Sequence, residues 1–404
     1  MKKVRVNGLE LARLWFLLVL AGTIRVGSAA GQLPIVGDSP ASAITTNHAF
    51  VTGTLNPNGL PTIYYWQWGT SSSYGNTLPA PPFFPVNSPL YLNADLWGLS
   101  MDTTYHYQLV ASNSAGSVAT ADLSFSTPGI ISTQGHVFTY VRDGGTITIT
   151  GYSGPGGRVT VPNAVGGLPV TAITNSVFGG LTNLTGVSFP DTVTSLGDGT
   201  FSGCTSLQTV MLPPKLTWIG DYSFAVCAGI TNIIIPTGVT NIGEGAFSLC
   251  TSLTNLTVPG NVAGIGDYAF EVCTNLMGLY FRGNAPSVGL YIFTNCDNVT
   301  VYYLPGTTGW GPTFGGRPAV LGRPAVLWNP QVQTGDGMFG VQQNVFGFNI
   351  GGTPDIPLVV EASTNLAAQS WVPLQSSTLT NGSVYFSDPQ WTNFPGRFYR
   401  IRSP

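Results

Sequence analysis

Five cysteines stand at positions 204, 227, 250, 273 and 296, with one constant interval between each and the next. That regularity marks a repeat rather than a disulfide pattern, and the odd count leaves at least one thiol unpaired in a monomer. Carboxylates keep the same period: Asp198, Asp221, Glu244 and Asp267 each follow a glycine directly. Stacked in a row, they could hold Ca²⁺ through oxygen ligands or present a glycosidase-like carboxylate pair. Each also stands three residues before a repeated phenylalanine, where a helical turn would begin and a carboxylate caps free backbone N–H groups. The capping role needs no ligand.

Histidine occurs only at positions 48, 106 and 136. A Ser-His-Asp or Cys-His arrangement within the repeats is thereby excluded. The chain has no HExxH, Walker loop or CxxC pair, so it reads as a non-enzyme with no catalytic residue, cofactor or metal site.

The elements that must position these groups are short. Charged residues make 8% of the 404, while Gly (52) and Pro (30) are abundant and 43% are hydrophobic. Such a mix excludes coiled coils and disorder and points to β-rich or short-repeat architecture. Residues 1–30 read as a signal peptide cleaved after Ala30: a basic start, the apolar run Leu14–Ala21 and small residues at Ser28-Ala29-Ala30. Its loss removes five cations and one carboxylate, changing the net charge from −3 to −7. That balance disfavours nucleic acid and anionic membranes as partners. No later stretch approaches the roughly 20 apolar residues of a transmembrane anchor.

Phe178, Phe201, Phe224, Phe247, Phe270 and Phe293 recur at the interval of the cysteines, as do Gly197, Gly220, Gly243, Gly266 and Gly289. Apolar residues at spacing 1, 4 and 6, as in Leu253, Leu256 and Val258, predict a strand whose positions 4 and 6 enter a common core. The Phe and Cys, three residues apart, suit one helical turn that buries both. A single unit cannot bury its apolar face, so the units must stack as a solenoid.

Residues Ile242 to Val258 follow almost position by position the pattern I-G-x-x-A-F-x-x-C-x-x-L-x-x-V-x-I-P. The chain thus resembles the BspA-like, treponemal-type leucine-rich repeat proteins of bacterial surfaces over roughly residues 170 to 304. The resemblance implies a right-handed solenoid with a parallel sheet on its concave face and a role in adhesion or binding. Leu181 replaces the first cysteine and Arg282 the fifth proline, and GRPAVL occurs twice, at 316–321 and 322–327. These departures predict caps, so the solenoid with both caps is placed at 136–328.

Alternating runs over residues 34–128 predict a β-sandwich. Leu99, Thr103, Tyr105, Tyr107, Leu109 and Ala111 resemble the E–F corner of fibronectin type III domains, with a structural role for Tyr105. Residues 329–404 predict a C-terminal β module with an Asn381-Gly382 turn. On its last strand Arg400 and Arg402 share a face, either to hold an acidic glycan or envelope component or to blunt an edge strand. The fold class is therefore mainly β, a leucine-rich repeat solenoid with short helical turns flanked by β-sandwich modules.

The residue between positions 4 and 6 of each strand faces the concave side: Ser188, Met211, Ile234, Thr257, Tyr280 and Tyr303. Met211, Ile234, Tyr280 and Tyr303 form a line more apolar than a solvated face requires, although sheets without a partner also carry mixed residues. The functional expectation is a secreted or cell-surface binding or adhesion protein that recognises another protein on this face. The alternative is a carbohydrate-binding protein whose tyrosines stack on sugar rings.

Overall fold

The computed structural model describes residues 31–79, 86–315, 323–367 and 370–404. The signal expected over residues 1–30 and the first GRPAVL copy lie outside them. The chain divides into a first unit ending at Thr127 and a second running from Pro128 onward, with Ser100–Asp102 grouped with the second.

In the first unit, strands β1 (Ile35–Asp38), β2 (His48–Asn56) and β5 (Leu90–Trp97) form one antiparallel sheet. Strands β3 (Ile63–Gly69), β4 (Asn76–Pro79), β6 (Thr104–Asn113), β7 (Gly116–Ala119) and β8 (Leu123–Ser126) form the other. Period-two alternation puts Ala49, Val51 and Leu55 of β2 and Leu92 and Leu96 of β5 inside, against Trp66, Tyr105, Tyr107 and Leu109. Tyr105 is buried in this core, stacked on Phe125, and the buried Tyr107 donates its hydroxyl to the Ser39 carbonyl at 2.9 Å.

The second unit is built on parallel pairing between residues one repeat apart. Gly157–Thr160, Leu184–Ser188 and Thr209–Met211 form one run. Asn255–Val258, Gly278–Phe281, Thr300–Tyr303 and Arg323–Leu327 form another. Between them Ile233 and Ile235 are buried and Ile234 is exposed, so the alternation continues without ladder pairing. The second GRPAVL copy thus supplies the last strand of the parallel run, and Thr313–Phe314 pairs antiparallel beyond it. Two-residue strands such as Asn241–Ile242 and Gly264–Ile265 make a second parallel ladder on another side of each coil. At the N-terminal end, Thr146–Ser153 joins that side by pairing in parallel with Leu168–Ile173.

The expected turn is present as one hydrogen-bonded turn per repeat, as in Cys250 N–H to Phe247 carbonyl at 3.2 Å. It does not propagate because left-handed residues flank it. Tyr222 and Val226 (φ 53° and 62°) flank one such turn, and Tyr268 and Val272 (φ 56° at both) another. A β-branched valine there is strained. The compensation is visible in the hydrogen bonds: N–H groups of Tyr222, Phe224 and Val226 donate to carbonyls of Glu244, Ala246 and Ser248 in the next repeat. Inside this shell the rings of Phe178 through Phe293 stack face to face with centroids 5.2–6.0 Å apart.

The five thiols are free and buried. Cys227, Cys250 and Cys273 donate Sγ–H to the carbonyls of Phe201, Phe224 and Phe247, each at 3.1 Å, so the column satisfies backbone acceptors while it packs. Burial pushes the Cys204 thiol up to about 11 and that of Cys296 up to about 12. Thiolate is the reactive form. A thiol reagent should therefore find almost nothing in the native protein at neutral pH and five groups after denaturation without reductant. Recovery of only one or three would show that bridges form along the column.

The carboxylates do cap N–H groups, but across repeats rather than within their own turn. Asp198 accepts from the Asp221 N–H at 3.0 Å, Asp221 from that of Glu244 at 2.8 Å, and Asp267 from that of Leu290 at 2.7 Å. Glu244, one methylene longer, accepts the Tyr222 hydroxyl instead.

Beyond the solenoid, Gln331–Gln333, Gly340–Gln342, Val345–Gly351 and Ser383–Asp388 form one antiparallel sheet, and Pro357–Ser363, Val372–Thr378 and Phe398–Arg402 another. Phe348, Ile350, Leu358, Val360 and Phe386 fill the space between them. Asn381 and Gly382 (φ 55° and 83°) do make a tight turn, but the strands on either side of it belong to different sheets.

Candidate functional site

The concave sheet is the surface that the repeats leave free of their own core, and the expected line of outward residues holds over its first part. Met211 and Ile234 are 76% and 79% exposed. They hold equivalent positions on successive coils, one repeat apart, although no ladder pairing joins the two segments. Thr257 is half-buried.

The last two positions differ from expectation. Tyr303 does not face the concave side: Gly278, Tyr280 and Phe281 pair with Thr300, Tyr302 and Tyr303, a step one position shorter than the repeat. The buried Leu276 is followed by Leu279 three positions on, but Val299 by Val301 only two positions on. That single deletion turns every following side chain over. Tyr302 therefore takes the outward place, while Tyr303 turns in and stacks on Trp310 at 5.1 Å. Tyr280 does point outward, yet it is only 5% exposed. Its ring stacks on Tyr302 at 4.8 Å, and Tyr302 packs against the core of the C-terminal module. Burial raises the hydroxyl pKa of both tyrosines.

The module thus lies over this end of the concave sheet and leaves a cleft. A cavity of about 350 Å³ is lined by Tyr280, Tyr302, Trp328, Arg400 and Arg402 among others. Another of about 560 Å³ is lined by Asn232, Ile234, Asn255, Thr257, Arg282 and Arg402 among others. Arg282, Arg402 and Ser403 belong to both.

Charge in the cleft is unbalanced. Arg400 and Arg402 grip the buried Glu361 at 2.7 and 2.6 Å. Burial works against ionisation of Glu361, but the hydrogen bonds from Arg402 and Arg400 outweigh it and hold the carboxyl below its ordinary value. Arg282 is exposed, and no carboxylate among the described residues pairs with it. Three guanidinium groups therefore face one side-chain carboxylate. The strand Phe398–Arg402 pairs with only Pro357–Ser363 among the described strands, so Arg400 and Arg402 do stand on an edge strand. Arg282 had a sequence signal, since it breaks the repeat's proline position. Glu361 had none, because its partners Arg400 and Arg402 lie far along the chain, on a different strand.

Coils paired in parallel one repeat apart, with an inward Phe column, define a leucine-rich repeat solenoid. Residues 171–300 match the family model of the BspA type leucine rich repeat region in six copies, and this segment belongs to that family. Among solved structures the chain is similar to a leucine rich repeat protein of T. pallidum, at 30% identity over 40% of this chain and 87% of that one, with a TM-score of 0.35. It is also similar to a leucine rich cell surface protein of Faecalibacterium prausnitzii, at 26% identity over 47% of this chain and 58% of that one, with a TM-score of 0.38. A leucine-rich repeat protein of Bacteroides ovatus is 20% identical over 43% and 70% of the two chains, with a TM-score of 0.27. No curated protein matches. Among the described residues no helix is long and apolar enough to cross a membrane.

Proposed function

We propose that this chain is an exported binding protein whose solenoid receives a protein segment on its concave face. The segment would cross Met211 and Ile234 and extend into the cleft toward Arg282 and Arg402. Export rests on the order of charged, apolar and small residues in the first thirty positions. The observation that carries the reading is the pair of exposed apolar side chains, with Ile234 lining the mouth of a cleft that has an excess of cations. An apolar anchor beside a polar, charged rim is the usual anatomy of a protein contact. Tyr280, Tyr302 and Tyr303 are not anchors in this reading, because two are covered by the module and one by Trp310. The BspA-type repeats agree with a binding role rather than a catalytic one.

A random peptide library selected on the full chain tests the reading. Selected peptides should combine apolar and acidic residues and bind a Met211→Asp, Ile234→Asp variant at least about tenfold more weakly, since losing an anchor costs over about 1 kcal/mol. Equal binding to that variant would place recognition elsewhere on the molecule.

A further inference from the structure

The outer face of the β1–β2–β5 sheet in the first unit carries a second surface, and the solenoid reading has no part in the argument for it. Tyr91 and Trp97 lie on β5 six residues apart, so they share one face and stand about 20 Å from each other along the strand. Tyr91 is 90% exposed and Trp97 65%. Of the large hydrophobic side chains among the described residues, Tyr91 is the most open to water. Between the two rings the same face carries the exposed Asn93 and Asp95, with Thr52 of β2 paired opposite Asn93 and the half-buried Phe50 opposite Asp95.

The Trp97 end is also held in place. Its ring packs on that of His48 with centroids 4.0 Å apart, and His48 Nε2 bonds to Asp95 Oδ1 at 2.8 Å. His48 is itself only 9% exposed, so the tryptophan is braced by a fixed group rather than by a mobile one. Asp95 Oδ1 is occupied by that contact, while the side chain is 53% exposed and keeps acceptor capacity toward solvent.

We infer that this face binds a neutral polysaccharide. Pyranose chains have apolar C–H faces that stack on aromatic rings and hydroxyl edges that hydrogen-bond to carboxylates and amides, the same alternation that Tyr91, Asn93, Asp95 and Trp97 present. A protein partner would favour a contiguous apolar centre, whereas the two exposed rings stand apart with the exposed Asn93 and Asp95 between them on β5. A polyanion would need clustered cations, and the sequence has no Lys or Arg between Arg25 and Arg142.

The test is native electrophoresis of the full chain in gels cast with soluble mixed-linkage β-glucan, xylan or glucomannan. Retardation is expected in at least one gel, with affinity reduced at least tenfold in Tyr91→Ala and in Trp97→Ala, and unchanged in Met211→Asp, Ile234→Asp. Tyr91 is exposed enough that its truncation leaves the core intact. Migration unaffected by all three polysaccharides overturns the inference. So does retardation that survives both aromatic truncations, or that disappears in the solenoid variant instead.

Discussion

Phe247→Ala should lower the stability of the second unit by about 3–5 kcal/mol, the cost of removing a fully buried phenylalanine from a core that relaxes only in part. Phe247 has no exposed surface and lies between Phe224 and Phe270, with centroids at 5.4 and 5.7 Å and ring planes within 4° of parallel. Both neighbours lose a stacking partner, each stack being worth about 0.5–1.5 kcal/mol. In a solenoid each coil touches only those beside it, so a gap at this point divides the column. Urea unfolding read through exposure of the buried thiols measures the loss. A change below about 1 kcal/mol would mean that the ring column fills space without holding the coils together.

Gly266→Ala should be nearly as harmful, at about 3 kcal/mol, although it adds a single methyl group. A Cβ at this position would lie 2.5 Å from the Glu244 nitrogen and 2.7 Å from the Gly243 carbonyl carbon, in the preceding coil. Those are backbone atoms, so no rotamer change relieves the contact. Gly266 has an ordinary φ; close approach between coils, not conformational freedom, demands glycine here. Gly335, with nothing within 4 Å, is the control. Gly335→Ala should stay within about 0.5 kcal/mol of the parent. Thermal unfolding of the two variants side by side checks this. Equal stability would show that neighbouring coils separate at little cost.

The same close approach explains why the glycine period was legible at all. At Gly197, Gly243, Gly266 and Gly289 a Cβ would come within 2.7 Å of a backbone nitrogen of the preceding coil, one steric demand met four times; at Gly220 the near atoms are the Asp198 and Ser223 side-chain oxygens. The phenylalanine, cysteine and inward aliphatic positions repeat for the same reason. The shortened last strand was also written in the chain, as the two-position step from Val299 to Val301. Counting the period from Phe293 and Cys296 hides it, since the deletion falls after both. The outward aromatic is therefore Tyr302, not Tyr303. The turn stays single because residues such as Val226 and Val272 take left-handed backbone and donate their N–H groups to the next coil, a contact no single repeat displays.

By itself the amino-acid sequence determined the coil: its length, its buried column, its inward and outward strand positions and the end of its regular repetition. Contacts between coils join residues one repeat apart, so the same physical demand recurs and leaves a periodic record. Only the tertiary structure decided which part of the concave face is open. Tyr280 is covered by a module whose last strand comes from residues 398–402, and the cations of that strand are partly neutralised by Glu361. That contact is made once, between surfaces matched in shape and far apart in sequence, and nothing repeats to announce it. Met211 and Ile234 stay exposed and Tyr280 does not for this reason alone, although all three hold the same position in their coils.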